Sequence, residues 1–315
     1  MNRRQILGTV AAILLTAAFV WWLAGSRLLE PVLVTLRQAA LPYLLLILPL
    51  VVILQLARAA RFVLLLDRMR AGGLLATFQI SCVHIALNFL LPFKLGEAAF
   101  PLLARRLMGV GLASGTSTLL TVRLLDLGAL GTLLAFSAAL AVPDLAPYRW
   151  LLVAGSVLSL LAPLALLILA GHGQRQWGRL AAVGEVLARA RSHGTFGKIT
   201  LLSVLVWACH AGAAYLSFLA VNQSVQLAAA AFAGASGNLA FALPFQGIAG
   251  VGPVQAAFAW AAVLCGVALE PAVAAAIACH ASLLVSGCLL AFIAIALEPR
   301  LRVWQRRVVA DPPAP

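Results

Sequence analysis

Charge is scarce in this sequence, and the charged residues lie in short clusters between long apolar runs. They make up 10% of the 315 residues, hydrophobic residues make up 63%, and the mean hydropathy is +1.05. A soluble domain carries about 25% charged residues, so these charges are too few to form a water-facing shell. Most of the surface must therefore face lipid, and we predict a single integral membrane domain over residues 1–315.

Long apolar runs predict the membrane-spanning helices. A helix needs about 20 mostly apolar residues to cross the hydrocarbon core, which is roughly 30 Å thick. Six runs are close to this length or longer, at residues 6–25, 41–57, 112–142, 150–171, 199–221 and 271–297. The first could pass for a signal peptide, but it is long and Trp21 and Trp22 occupy the expected cleavage region. We predict a retained first helix with an aromatic anchor at the outer interface.

Two further apolar stretches, 74–91 and 225–243, are interrupted rather than continuous. Each ends at a proline, passes through a glycine-containing turn and continues as helix, to about residue 109 and about residue 269. In the first, only seven uncharged residues separate Glu97 from Arg105, which is roughly 10 Å of helix. That arm cannot cross a bilayer, so we predict a re-entrant hairpin. The longer arms of the second stretch leave full spans open.

Basic residues are unevenly divided between the two sides that this arrangement predicts. With a cytoplasmic N-terminus, the inner segments carry seventeen, including Arg58 and Arg61, and the outer segments carry three. Because basic loops stay in the cytoplasm, we predict a bacterial-type inner (cytoplasmic) membrane protein with both termini in the cytoplasm. The same bias explains the net charge of +13, and no nucleic-acid partner is predicted. Residues 172–198 are predicted to form a cytoplasmic amphipathic connector, with a solvated connector as the open alternative.

The two interrupted stretches share a signature. Asn88 precedes one Leu-Pro-Phe and Asn238 precedes the other, about 152 residues apart, and each half has one span before and one after. Such pairs in inverted halves point to the central site of a transporter. We predict an all-α polytopic membrane protein with about six full transmembrane helices and two re-entrant helical hairpins in an inverted-topology repeat. Its halves cover about 41–142 and 199–297, and the residues predicted to shape the turns are Pro92, Pro244, Gly247, Gly250 and Gly252.

Four charged side chains lie in apolar surroundings: Lys94, Glu97, Arg123 and Asp126. Each costs roughly 2.5–3.5 kcal/mol at a helix centre when unpaired, so all four must be paired or reach water. Arg123 and Asp126 lie three residues apart on one helix and can pair there. Lys94 and Glu97 flank Gly96 at the hairpin turn, where free backbone amides can hold an anion.

Two interpretations of these charges remain. In one, Lys94–Glu97 and Arg123–Asp126 are structural pairs that brace the hairpin. In the other, Lys94 and Arg123 bind an anionic headgroup, while Glu97 and Asp126 position them or carry protons. We favour the second because structural bracing rarely requires charge in lipid. The predicted substrate-binding residues are Asn88, Lys94, Gly96, Glu97, Arg123, Asp126, Asn238, Gln246 and Gln255.

Motifs for catalysis are missing from the sequence. There is no nucleophile elbow, phosphate loop or HExxH, and the spacings of His84, His210 and His280 near cysteines match no metal-ligand pattern. The five cysteines lie in apolar runs and predict buried thiols rather than disulfides. We therefore expect no enzymatic activity, no cofactor and no metal.

Several of these residues together resemble a known family. The run from Asn88 to Glu97, then Arg105 and Arg106, then Arg123-Leu-Leu-Asp126, and the second turn, residues 244–253, are similar to the lysylphosphatidylglycerol synthase transmembrane-domain family, the flippase-like part of MprF-type proteins. The resemblance covers roughly residues 10 to 300 and implies lipid translocation between leaflets along re-entrant hairpins. It does not extend to the soluble aminoacyltransferase domain, so lipid aminoacylation is not implied. Two residues depart from the family pattern: Phe100 stands where Arg is frequent, and Gln255 where Glu is common.

The predicted function is that of a lipid flippase, with an anionic phospholipid or a polyprenyl- or hopanoid-type lipid as cargo. One alternative is a secondary transporter of a small solute, which would use the same repeat around a closed cavity. Another is a non-catalytic membrane partner of a lipid-modifying enzyme. The predicted partners are membrane lipids, and a homo-oligomer or a lipid-modifying enzyme partner stays open. A lateral opening wide enough for acyl chains would favour the flippase.

Overall fold

The computed structural model describes residues 3–66, 73–172, 186, 194–243 and 247–298. In these ranges the chain forms helices and turns without a β-strand, which confirms the predicted all-α membrane fold. The α-helices in chain order are α1 Arg3–Gly25, α2 Leu29–Arg37, α3 Leu41–Leu45, α4 Ile47–Leu66, α5 Gly73–Leu90, α6 Ala99–Met108, α7 Leu112–Ala141, α8 Arg149–His172, α9 Phe196–Ala220, α10 Leu227–Ala242, α11 Pro253–Leu264 and α12 Leu269–Leu297. Short 3₁₀ helices cover Pro92–Ala98, Pro143–Tyr148 and Ile248–Gly250.

Six segments within the described ranges are long and apolar enough to cross a membrane. They are Leu41–Leu66, Gly73–Leu90, Leu112–Ala141, Pro143–Ala162, Gly197–Ala220 and Leu269–Leu297. Five of them match predicted spans, and the other, α5, is the leading arm of the first hairpin. The first predicted span differs, because α1 is followed after a 93° bend by α2, a short helix that the sequence did not predict. Val32 of α2 is 1% exposed, so burial fixes this helix against the bundle.

Helix α4 is longer than predicted, since it continues from Ala57 to Leu66. The prediction placed Arg58 and Arg61 in a cytoplasmic loop, but both lie inside this helix, and Arg61 is fully buried. The apolar run that follows Arg61, residues 62–66, packs into the core of the first half and carries the helix onward. Both arginines are therefore part of the interior of the bundle.

The first hairpin consists of α5, the 3₁₀ turn Pro92–Ala98 and α6. Thr77 Oγ1 lies 3.4 Å from Met108 Sδ near its open end, while Gly96 packs against the backbone of Asn88 near its turn. The returning arm, α6, has 10 residues and rises about 15 Å. Because this arm is well short of a bilayer core, although α5 alone is long enough to cross one, the dimensions of the pair fit a re-entrant hairpin.

The second hairpin consists of α10, the turn that includes Ile248–Gly250, and α11. Its arms are 16 and 12 residues long. Neither arm reaches the roughly 20 residues that a crossing requires, so this hairpin also has re-entrant dimensions. Most of the predicted amphipathic connector, residues 172–198, lies outside the described residues.

The two halves pack against each other in a reciprocal way. Helices α4 and α9 lie antiparallel: the amide of Ala40, just before α3, donates to Ala220 O (2.8 Å), and Arg61 donates to Ser203 Oγ (3.0 Å). Helix α12 of the second half packs on α5 of the first hairpin, and α7 of the first half packs on α10 of the second. The last helix of each half therefore packs against the first arm of the hairpin of the other half.

Candidate functional site

The turns of the two hairpins meet inside the bundle. Phe89, just before the first turn, packs against Phe241, just before the second, with 4.9 Å between ring centroids. Phe89 also contacts the ring of His280 on α12 (5.9 Å). Lys94 Nζ lies 3.6 Å from the centroid of the Phe241 ring, a cation–π contact. Segments that are far apart in sequence thus form one tip-to-tip junction.

A close backbone contact shapes the first turn. Proline at position 92 ends α5, and Lys94 adopts a left-handed backbone conformation (φ 56°) that returns the chain toward the helix. Gly96 then lies so near Asn88 that a Cβ would collide with its backbone. His84 Nδ1 lies 3.1 Å from Gly96 O, and because Nε2 faces the donors Asn88 Nδ2 and Arg123 Nη2, Nδ1 carries the proton and donates.

Glu97 is the centre of the polar cluster in the first half. Arg123 binds both of its carboxylate oxygens, with Nε to Oε2 at 3.2 Å and Nη2 to Oε1. Asn88 Nδ2 donates to Oε1 at 3.0 Å, and His84 Nε2 lies 3.7 Å from Oε2. This fork-to-fork geometry is the strong form of an arginine–carboxylate pair. The structure therefore brings together three of the predicted site residues, Asn88, Glu97 and Arg123.

Asp126 has a different partner from the one its spacing suggested. It pairs with Arg61 of α4 (2.6 Å) rather than with Arg123, and Ser203 of α9 also accepts from Arg61. The Arg61 side chain is 0% exposed and that of Asp126 11%. The predicted local pairs Arg123–Asp126 and Lys94–Glu97 are not the ion pairs of the structure. The carboxylates instead join α7 to α4 and to the first hairpin.

Amides and an imidazole occupy the second turn. Gln255, at the start of α11, accepts from the amide of Gly252 (2.8 Å) and donates through Nε2 to His280 Nδ1. Gly250 and Gly252 have positive φ angles (81° and 104°), which explains glycine at two of the three predicted positions. At Gly247, a Cβ would collide with the carbonyl of Val251.

The remaining predicted residues of the second half have separate positions. Asn238 Nδ2 donates to Gly234 O within α10 (2.8 Å), and its side chain lines the central cavity. Gln255 lies behind His280, which is the residue that reaches the cavity. Pro244 and Gln246 fall outside the described residues.

A cavity of about 720 Å³ lies beside the tip-to-tip junction. Charged groups from two helices, α4 and α7, and from the first turn line it among apolar side chains: Arg58, Lys94, Glu97, Arg123 and Asp126. From the second half it is lined by Trp207 and His210 of α9, by Asn238 and Phe241 of α10 and by His280 of α12. A site of this size, mostly apolar with a few convergent polar groups, has the usual composition of a ligand pocket.

The cavity is accessible along one face of α7. Thr116, Leu120, Arg123 and Leu127 follow one another at helical spacing and all line it. Leu120 is 48% exposed and Leu127 54%. Because α7 is long and apolar enough to span a membrane, leucines this exposed at the edge of the cavity indicate that the cavity is open, rather than enclosed, at this face.

Sequence reasoning missed Arg58, Trp207 and His210. Arg58 Nη2 donates to His210 Nε2 at 3.3 Å, which joins α4 to α9 at the cavity. The usable signal was the apolar run after Arg61, since it shows that the helix continues past both arginines. Phe100, at the position where the resemblance led us to expect Arg, is fully buried and stacks on Phe62 (4.0 Å).

Comparison with known families gives one match. The model of the family described as lysylphosphatidylglycerol synthase TM region matches residues 9–293. No curated protein and no solved structure matches the chain. The matched residues include both hairpins and every helix that lines the cavity.

Proposed function

Because the chain belongs to the lysylphosphatidylglycerol synthase TM region family, we propose that it moves a lipid with an anionic headgroup between the leaflets of the membrane. Family membership supports a membrane lipid-related function. The cargo that we propose is an anionic phospholipid or a polyprenyl- or hopanoid-type lipid that carries an anionic group. The protein provides a path for the headgroup, while the acyl chains stay in the bilayer.

The observation that carries this proposal is the surplus of positive charge in a cavity that opens toward lipid. Four cations lie at or just behind its wall, Arg58, Arg61, Lys94 and Arg123, against two carboxylates, Glu97 and Asp126. Each carboxylate is already paired with an arginine. Arg58 and Lys94 have no carboxylate within ion-pair distance in the described part of the chain. Because buried charge is costly, two uncompensated cations favour an anionic ligand.

The packing of the two halves supports the inverted repeat. The antiparallel contact of α4 with α9, the reciprocal packing against the hairpins and the junction of Phe89 with Phe241 all fit halves related by a twofold axis in the membrane plane. In such an arrangement the hairpins enter from opposite sides and meet near the middle. Rocking of one half against the other would expose the cavity to each leaflet in turn.

The sideways opening favours a lipid over a small solute. A carrier of small solutes needs a closed cavity, whereas here Leu120 and Leu127 are half exposed along the cavity wall. A headgroup can enter beside them while its acyl chains remain among the lipids. No observation favours the role of a non-catalytic enzyme partner.

The orientation that we propose follows the distribution of basic residues. When Arg58 and Arg61 are assigned to the interior, fifteen basic residues remain in the predicted inner segments against three in the outer segments. This bias still supports cytoplasmic termini in a bacterial-type inner membrane. The first hairpin then enters from the cytoplasm and the second from outside.

A flipping assay in proteoliposomes tests the proposal. Phosphatidylcholine vesicles that contain the full chain receive a trace of fluorescent phosphatidylglycerol or fluorescent phosphatidylcholine, and dithionite reports which leaflet holds the label. We expect phosphatidylglycerol to exchange faster than phosphatidylcholine. Lys94→Gln should slow the anionic lipid about tenfold, since a charge-assisted contact contributes about 1.5–3 kcal/mol. Arg106→Gln, which removes one exposed cation from the end of α6, serves as the matched control.

Two outcomes would overturn the proposal. If the two lipids exchange at the same rate in the presence of the protein, the cavity does not select an anionic headgroup. If neither lipid exchanges faster than in protein-free vesicles, the flippase function is wrong and the partner role gains support.

A further inference from the structure

A second space, a crevice of about 350 Å³, lies between α1 and α11. Leu15, Phe19 and Trp22 of α1 form one of its walls. The side of α11 that carries Ala256 forms the opposite wall, whereas the side that carries Phe258 lines the cavity. Helix α11 therefore separates the two spaces, and the crevice lies outside the path that we propose for the headgroup.

The inner end of the crevice is closed where α1 touches the second turn. Thr16 Oγ1 accepts from the amide of Ile248 (2.8 Å), which gives a non-helical backbone group the partner that it needs in lipid. A Cβ on Gly252 would lie only 3.1 Å from Leu15 O. Helix α1 has 23 residues, so it is about 34 Å long, and Thr16 lies about 20 Å from its start. The closed end is therefore near the middle of a membrane crossing.

The outer end of the crevice carries two tryptophans. Trp22 of α1 is 36% exposed and Trp260 of α11 is 57% exposed, and both line the crevice. Exposed tryptophans of membrane proteins are enriched at the level of the headgroups. Between Leu15 and Trp22, α1 rises about 10 Å, while one leaflet contributes roughly 15 Å of hydrocarbon. The crevice thus follows most of the depth of one leaflet, which is the outer one in the orientation that we propose.

The lining of the crevice matches a hydrocarbon ligand. No charged side chain is among the described residues that line it. Gln255 is the polar side chain at its wall, and both ends of its carboxamide are used, since it accepts from the amide of Gly252 and donates to His280. A polar ligand would therefore lose its hydrogen bonds to water without replacing them, whereas an apolar chain loses none. The volume lies within the range of ligand pockets, which begins at about 300 Å³.

We infer that the crevice between α1 and α11 holds one acyl chain of an outer-leaflet lipid. Both ends of the α1 wall are fixed, because Thr16 is bonded to the second turn and Leu23 is buried in the core of the second half. The crevice is thus a preformed space rather than a gap between loose helices. Its lipid is a resident one and not the cargo, since α11 lies between it and the cavity. Recognition of the chain does not depend on the headgroup, so the inference stands apart from the proposed function.

Photo-labelling from the acyl chain tests the site without relying on transport. The full chain is reconstituted in vesicles that contain phosphatidylcholine or phosphatidylglycerol with a diazirine in the middle of one chain, and mass spectrometry locates the adducts. We expect them to concentrate on residues 15–22 and 256–260 with either lipid.

Two variants fill the crevice from opposite walls, Ala256→Phe from α11 and Leu15→Trp from α1. Because a filled crevice leaves no room for a chain, each should lower these adducts about fivefold or more. Ala154→Phe adds the same ring to the exposed surface of α8 and should label like the wild type.

The labelling separates a defined site from the surrounding bilayer. Adducts that are as frequent on the exposed face of α8 as in the crevice would show ordinary boundary lipid and contradict the inference. Wild-type labelling in both Ala256→Phe and Leu15→Trp would disprove the site, and labelling by phosphatidylglycerol alone would show recognition of the headgroup instead of the chain. Should Ala256→Phe fold poorly, Leu15→Trp decides the matter alone. None of these outcomes depends on whether the flipping assay succeeds.

Discussion

At the turn of the first hairpin, a carboxylate, Glu97, binds a guanidinium, Arg123, of the helix that follows the hairpin. After the turn of the second, an amide, Gln255, binds an imidazole, His280, of the helix that follows. The two partners lie 158 and 157 residues further along the chain. The contact is thus kept in both halves, but its charge is present only in the first.

This difference separates holding a turn from binding a ligand. Gln255 and His280 show that a neutral pair is enough to connect a hairpin to the next helix. A charged pair in lipid costs more than a neutral one, so holding the turn does not account for Glu97 and Arg123. The charge of the first half is therefore best explained by the headgroup that we propose.

The largest expected effect is on stability and comes from Asp126, whose carboxylate pairs with the buried guanidinium of Arg61. Asp126→Asn leaves Arg61 buried without its carboxylate, so we expect a loss of about 3–5 kcal/mol in the free energy of unfolding. Thermal unfolding of the purified protein in detergent measures it. The double variant Arg61→Met with Asp126→Leu removes both charges and should recover most of the loss. If the double variant is as unstable as the single one, the pair is not the cause.

The next effect compares the two turn contacts directly. Glu97→Gln makes the first turn resemble the second and leaves Arg123 without an anion. The cavity then holds a third uncompensated cation, so an anionic lipid binds more tightly and leaves more slowly. We expect flipping of phosphatidylglycerol to fall about tenfold, an increase of about 1.4 kcal/mol in the barrier. Affinity for dioctanoyl phosphatidylglycerol should rise at the same time.

The matched change in the second half is Gln255→Met, which keeps the length of the side chain and removes its hydrogen bonds. It should cost about 1–2 kcal/mol of stability and leave the flipping rate of the folded protein within about threefold of the wild type. Equal losses of flipping in Glu97→Gln and Gln255→Met would remove the distinction between the halves.

The smallest effect concerns the junction of the two tips. Phe241→Leu removes the ring beneath Lys94, and a cation–π contact contributes about 0.5–1 kcal/mol at an exposed site. We expect anionic-lipid flipping to change two- to fivefold. Phe89→Leu removes an aromatic ring from the same junction but not the cation contact, and it should have less effect on selectivity between phosphatidylglycerol and phosphatidylcholine. The reverse order would show that ring packing, rather than Lys94, matters.

Local sequence signals predicted the main features of the fold. Apolar runs gave five spans, and prolines followed by glycines located both hairpins. Asn88, Glu97 and Arg123 were found because polar residues in such runs are rare. Partner choice was harder: Arg123 and Asp126 have the spacing of a helical pair, yet each binds a residue of another element. Spacing along one helix says nothing about which residue packing brings from outside.

The sequence analysis missed three residues that line the cavity, Arg58, Trp207 and His210, for a related reason. Arg58 directly follows the predicted span 41–57, which is only 17 residues long, and therefore looked like the start of a loop. Its role depends on the contact of α4 with α9, which joins residues 152 positions apart. Unpaired donors such as Trp207 Nε1 are defined only by what surrounds them, so no sequence pattern indicates them.

Cross-linking from the cavity wall tests the central claim most directly, because it asks whether an anionic lipid enters the space between the hairpins. A photo-reactive residue replaces Leu120, which lines the cavity, or Leu158, which is 66% exposed on α8 away from it. Vesicles contain equal amounts of phosphatidylglycerol and phosphatidylcholine, and mass spectrometry counts the adducts. The account predicts an excess of phosphatidylglycerol adducts at Leu120, abolished by Lys94→Gln with Arg58→Gln, and none at Leu158. The same lipid ratio at both positions would contradict it.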